Sequence, residues 1–191
     1  VRYSKGHRER TRERILEAAG RLFRESGYDG VGVDQIMHDV GLTAGGFYSH
    51  FRSKEALFAE AMSAALEASR ATPDSAAASD SLQPLIKGYL SRKHRDSVAE
   101  GCPLPVLTPD VARQSNATRE RYEKQLLKFA SRIEAMLTED GGDQAQTREE
   151  ALALIAECVG GLMLARAVSD EKLSDQILRS CRRGASKLCD R

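Results

Sequence analysis

No apolar run in this 191-residue sequence approaches the roughly 18 residues needed to span a membrane. No secretory leader precedes Arg8 either, so a cytoplasmic chain with no membrane partner is expected. The four cysteines, Cys102, Cys158, Cys181 and Cys189, include no CxxC pair, and the histidines His7, His38, His50 and His94 are scattered. Neither set has metal-site spacing. No metal or other cofactor is therefore expected, and in a reducing compartment the thiols should be free. A GxSxG elbow, a phosphate-binding glycine loop, an HExxH pair and a clustered carboxylate pair are also missing. An enzyme would have no visible machinery. Strand patterns and internal repeats are absent too. The net charge is only +1, which taken alone argues against a nucleic-acid binder.

What is present is helical. Charged residues at 30% and hydrophobic ones at 41% mark a soluble, globular chain, long enough for one or two domains with a proper core. Charge is unevenly placed. Arg2, Lys5, Arg8, Arg10, Arg12 and Arg14 face only Glu9 and Glu13 over the first 14 residues, a basic arm suited to phosphates. A first helix is expected over 11–25, burying Ile15, Ala18, Ala19, Leu22 and Phe23.

The stretch 33–54, VDQIMHDVGLTAGGFYSHFRSK, organises the rest. Val33, Ile36, Met37 and Val40 form the stripe of a short helix, and Gly41 supplies the stop. Thr43 stands where an N-cap belongs, its hydroxyl free to accept from Gly45 or Gly46. A second short helix from Ala44 would bury Phe47 and Phe51 and turn Tyr48, Ser49 and His50 outward. Ser53 caps a third helix with Glu55 in its first turn. Helix, glycine turn, short helix is the helix-turn-helix pattern.

The run through Gly41-Leu42-Thr43, Gly46-Phe47-Tyr48, His50-Phe51 and Ser53-Lys54-Glu55-Ala56-Leu57 resembles the DNA-binding signature of the TetR/AcrR family of transcriptional regulators. The resemblance implies an all-α protein: a three-helix head over 1–54 and a helical effector-binding and dimerisation body over 55–191. It implies DNA contacts from Thr43, Ala44, Gly45, Gly46, Tyr48, Ser49, His50 and Lys54. Tyr48, His50 and Lys54 suit phosphates, which position the protein, while Thr43 and Ser49 are left to read bases. One departure is Val31-Gly32-Val33, where the family commonly places Thr or Ser before the first motif helix. A side-chain phosphate contact is not expected there.

Beyond the head, apolar spacing continues through Leu57, Phe58, Ala61, Met62, Ala65 and Leu66 to about Arg70, and 72–81 reads as a linker. Helices are expected over 82–90, 119–137, 149–168 and 173–188, with Gly141-Gly142-Asp143 ending the second of these. Pro103, Pro105 and Pro109 prevent one regular helix over 98–109. The family resemblance implies a homodimer through the last two helices, with Ile155, Leu162, Ile177 and Cys181 at the interface and Gly160-Gly161 permitting close approach. It also implies a cavity for an unidentified small-molecule effector, with Met62, Leu66, Leu90, Cys102, Tyr122, Leu126, Phe129, Cys158 and Met163 as candidate lining. The expected function is a repressor that binds a palindromic DNA operator and is released by that molecule. Two alternatives stand beside it: a thiol sensor of electrophiles or oxidants, with Cys102 activated by Arg92, Lys93, His94 or Arg95, and an architectural DNA binder without effector.

Overall fold

The structure is a computed structural model, and it describes residues 5–71, 81–138 and 144–189. Arg2 of the basic arm, the expected linker up to residue 80 and the glycine stop at 141–143 lie outside the described residues. Among those described, every regular element is a helix.

The head opens with α1 (Lys5–Ser26), which starts earlier than apolar spacing indicated because its first turns carry no buried face. From Thr11 on it turns Ile15, Ala18, Ala19, Leu22 and Phe23 into the core as expected. Next come α2 (Val33–Asp39) and a short 3-10 helix, η1 (Ala44–Ser49). Then α3 (Lys54–Ala71) begins at a working cap, the Ala56 amide donating to Ser53 Oγ at 3.0 Å. The first half of α3 completes the head: Phe58 meets the rings of Phe23 and Tyr28 edge-on at 5.2 and 5.0 Å. Its second half continues toward the body through Met62 and Leu66, both buried.

In the body, α4 (Leu82–Tyr89) is followed by α5 (Arg92–Asp96), a five-residue polar helix that no apolar period announces. As expected, 98–109 is not one regular helix: residues 97–103 are irregular, and a short helix α6 (Leu104–Val111) follows. Pro105 sits in its first turn, where a missing N–H costs nothing, and the helix ends two residues after Pro109. The long helices α7 (Asn116–Thr138), α8 (Gln144–Ala167) and α9 (Glu171–Cys189) complete the body. α8 and α9 approach closely at Gly161, where an added Cβ would lie 2.7 Å from Cys181 Sγ and 2.9 Å from Cys181 Cβ. Gly160, one residue earlier, meets nothing within 4 Å.

Polar ties join head to body. The Tyr28 amide donates to Asp110 Oδ2 of α6 at 2.9 Å, and Arg24 Nε donates to the Ala99 carbonyl. Glu55 of α3 reaches the start of α7, where Oε1 accepts from the Ser115 amide (3.0 Å), Ser115 Oγ (2.5 Å) and Thr118 Oγ1 (2.7 Å). These bonds to the ionised form hold the Glu55 carboxyl below its usual range.

Candidate nucleic-acid interface

The helix-turn-helix is built from a glycine stop and two phenylalanines. Gly41 has φ +72°; its amide donates to His38 O at 2.9 Å and the Leu42 amide to Met37 O at 2.8 Å. That pair of bonds is the Schellman motif, which needs a left-handed residue after the C-cap and so favours glycine. Leu42 then packs against the core. Phe47 of η1 and Phe51, two residues beyond its end, are buried and stacked with centroids 5.8 Å apart. Gly45 and Gly46 weaken helix propensity, and the segment winds as a tighter six-residue 3-10 helix instead of an α-helix.

All eight residues expected at DNA keep solvent exposure. Thr43, Gly45, Tyr48 and Ser49 are exposed, Tyr48 at 73%, while Ala44, Gly46, His50 and Lys54 are half-buried. Thr43, Gly46, Ser49 and His50 converge with Arg8 around a cavity of about 450 Å³ between α1 and the motif.

Three polar roles differ from expectation. The Thr43 hydroxyl makes no capping bond; the turn is closed by Gly46 N–H to Thr43 C=O at 3.0 Å, so the hydroxyl stays free. Ser49 Oγ donates its proton to Gly46 O at 2.7 Å, which leaves it lone pairs to offer a base but no hydrogen. Lys54 Nζ lies 4.2 Å above the Tyr28 ring centroid, so this cation also braces the head. Burial, with Arg8 and Arg12 beside it, pushes the His50 pKa below its ordinary value, which favours the neutral ring. Gly32 caps α2 with backbone alone.

The basic arm proves partly structural. Arg8 donates to Ser49 O at the end of η1 (2.5 Å), and Arg14 to Val40 O at the end of α2 (2.8 Å), cations placed where helix carbonyls want them. Arg12 lies over the Phe51 ring at 4.6 Å and pairs with Glu60, while Arg21 grips both Asp39 oxygens at 2.7 and 2.8 Å. Arginine at one-turn intervals along α1 was the available signal for these positioning residues.

The effector candidates do not meet in one described cavity. Met62, Leu66, Leu90, Cys102, Phe129 and Cys158 are buried in the continuous core. Tyr122 and Leu126 line a separate surface cavity of about 500 Å³ between α6 and α7, where Tyr122 OH and Thr108 Oγ1 are 2.9 Å apart. Met163 is half-buried and does not pack against that core. Of the interface candidates, Ile177 and Cys181 are half-exposed, but Ile155 and Leu162 are buried inside a single chain and cannot present themselves to a partner. Exposed leucines on these helices are instead Leu152, Leu164 and Leu173.

Activation of Cys102 is not what the geometry provides. His94 Nε2 accepts from the Cys102 amide at 3.0 Å, so a ring lone pair faces the backbone N–H instead of a cation facing sulfur. Burial pushes the thiol up, outweighing the pull of the Tyr89 hydroxyl, the Leu104 amide, Arg166 and Arg24. Cys102, Cys158 and Cys181 form no disulfide. Among the described residues no cluster could hold a metal ion, and no helix is long and apolar enough to cross a membrane.

The sequence profile of the family described as bacterial regulatory proteins, tetR family, matches residues 15–61, the helix-turn-helix and its flanks. The HTH-type transcriptional regulator LmrA of Bacillus subtilis is 30% identical over 163 residues, covering 81% of this chain and 85% of its own. The HTH-type transcriptional repressor Rv1474c of Mycobacterium tuberculosis is 40% identical over 55 residues, 29% of either chain. A TetR transcriptional regulator from Legionella pneumophila, at 21% identity, has the same fold with a TM-score of 0.75 over 98% of both chains. The chain therefore belongs to the TetR family: it is a transcriptional regulator with a DNA-binding helix-turn-helix, and not an enzyme.

Proposed function

We propose that the protein is a homodimeric repressor that binds a palindromic operator and is released by a small molecule. In this reading residues 1–54 hold the DNA and residues 55–191 sense the effector and dimerise. Tyr48, His50 and Lys54 meet phosphates. Thr43 donates to a base edge, Ser49 accepts from one, and Ala44, Gly45 and Gly46 let the backbone approach. Two heads related by a two-fold axis would reach half-sites roughly 34–36 Å apart.

The observation that carries the dimer is the uncovered apolar face of the last two helices. Leu152, Leu164 and Leu173 are 39%, 59% and 43% exposed, next to half-buried Ile177 and Cys181. Apolar area of this kind on two adjacent helices favours a self-complementary partner.

Light scattering combined with footprinting tests the proposal. The wild type should be a dimer protecting one short palindrome, and Leu164→Arg should give helical monomers that no longer protect it. A dimer untouched by Leu164→Arg places the interface elsewhere. Protection spreading along DNA without a boundary supports an architectural binder instead, and a small molecule that abolishes the footprint supports effector release.

A further inference from the structure

The segment proposed to meet base edges is thinly supported on its α1 side. Phe47 holds η1 to the core, and Gly46 lies near Met37, whose Cε would be 3.6 Å from an added Cβ. Toward α1 there is instead the cavity of about 450 Å³, with Thr11, Met37, Leu42, Ser49 and His50 in its lining. His50 keeps Nδ1 sealed from solvent without a hydrogen-bond partner. Gly45 and Gly46 bring no side chain that could fill the space. A cavity beneath a segment with two glycines leaves the placement of its exposed side chains weakly determined by packing.

Arg8 bridges that gap. From near the start of α1 its Nη2 donates to Ser49 O at 2.5 Å, at the carbonyl end of η1. Both ends of this strap are fixed. On α1, Thr11 is buried and donates to His7 O at 3.0 Å. Arg12, one turn after Arg8, lies 4.6 Å over the Phe51 ring, which stacks on Phe47. On η1, Ser49 Oγ donates to Gly46 O at 2.7 Å, so Ser49 is held by its hydroxyl as well as by its carbonyl. The lone pairs of that hydroxyl are what Ser49 can offer a base, and their direction follows from the two bonds together.

A contacting residue discriminates only if it is held to within about 0.5 Å of its productive position, which takes hydrogen bonds from a supporting shell. Packing does not supply that precision on the cavity side of η1. A bond from a charged donor to a carbonyl is shorter and stronger than one between neutral groups, so Arg8 is suited to supply it.

We propose that Arg8 is a specificity-determining residue: through its bond to the Ser49 carbonyl it fixes Ser49 against a base edge, and it neither reads a base nor neutralises a phosphate itself. The inference rests on the reading above in which Ser49 accepts from a base. It extends operator recognition to a residue of α1 that lies 41 positions away in the chain.

The test uses the full chain and the duplex that the wild type enriches most from a random-sequence library, beside a random duplex of equal length. Wild type, Arg8→Ala, Ser49→Ala and the double variant are titrated on both across a salt series. Arg8→Ala should bind the random duplex within about twofold of wild type, with its salt slope changed by less than about half an ion. Its preference for the enriched duplex should fall about tenfold. Retained binding to the random duplex shows that the head is folded. The double variant should discriminate no worse than Ser49→Ala, because the strap then has no base contact left to position. Equal loss on both duplexes overturns the proposal, and a salt slope lower by about one ion then identifies Arg8 as a phosphate contact. An additive loss of preference in the double variant overturns it too, since Arg8 would then read DNA on its own. So does full preference in Arg8→Ala beside a loss in Ser49→Ala. If Ser49→Ala keeps full preference, the base-reading role of Ser49 falls. A loss in Arg8→Ala alone would then leave Arg8 positioning another part of η1, and full preference in both would remove the strap as well.

Discussion

Alanine at two neighbouring glycines of α8 should act with opposite sign. In a helix interior, Gly→Ala stabilises by about 1 kcal/mol through propensity alone, and that part is common to Gly160 and Gly161. Their surroundings differ. At Gly160 a new Cβ meets nothing within 4 Å, so the full gain should appear. At Gly161 it would stand 2.7 Å from Cys181 Sγ, 2.9 Å from Cys181 Cβ and 3.2 Å from Leu90 Cδ2. Cys181 Cβ is fixed to the α9 backbone and cannot swing away as Sγ or Leu90 Cδ2 could, so α8 and α9 must separate. Overpacking of this kind costs about 1–3 kcal/mol. Since the propensity gain cancels between the variants, Gly161→Ala should be less stable than Gly160→Ala by that same 1–3 kcal/mol. For a chain of this size each kcal/mol moves the melting temperature by roughly 2–4 °C. Circular-dichroism melts in the Leu164→Arg background, where a dimer partner should not reach Gly160, provide the reading. Equal melting temperatures, or a higher one for Gly161→Ala, would refute the close approach of α8 and α9.

Two further outcomes follow from particular contacts. Glu55→Ala removes the acceptor of three hydrogen bonds at the start of α7; because the folded carboxyl titrates below its unfolded value, the bonds' contribution is present above the unfolded range and fades as pH falls through the folded one. The melting-temperature gap to wild type should therefore close in acid, and a pH-independent gap would contradict it. Lys54→Ala should weaken binding to operator and random DNA alike, lower the salt slope by about one ion and cost roughly 0.5–1 kcal/mol of stability through the lost Tyr28 contact. Ser49→Ala should leave that slope unchanged and narrow the gap between operator and random DNA; identical slopes and discrimination in both variants would overturn this division of roles.

Much of the fold was legible wherever one face of a helix is apolar and the other is not. The α1 face, the α7 face, the Gly41 stop and the Ser53 cap all express local rules: 3.6-residue spacing, a left-handed residue after a C-cap, a hydroxyl before a first turn. Helix α5 escaped because its five residues carry no buried side chain and hence no period. That η1 winds as a 3-10 helix escaped too, since two glycines specify permissiveness and not a winding.

The candidate sites were legible in type more than in role. Sequence exposes the charge of Arg8, Arg12 and Arg14, but a charge that ends on a helix carbonyl or an aromatic ring has part of its work done inside the head. Leu162 and Leu164 make the limit plainer. Helix α8 is apolar on more than one side, so its periodicity names no face, yet Leu162 is fully buried and Leu164 is 59% exposed. Which of two leucines two residues apart faces outward depends on where α7 and α9 dock, a long-range fact with no local signature. The same holds for Tyr89 and Arg166, distant in the chain and ordinary in composition. Only the packing of α4, α5 and α8 brings both against His94, whose ring stands edge-on to Tyr89 and whose carbonyl accepts from Arg166.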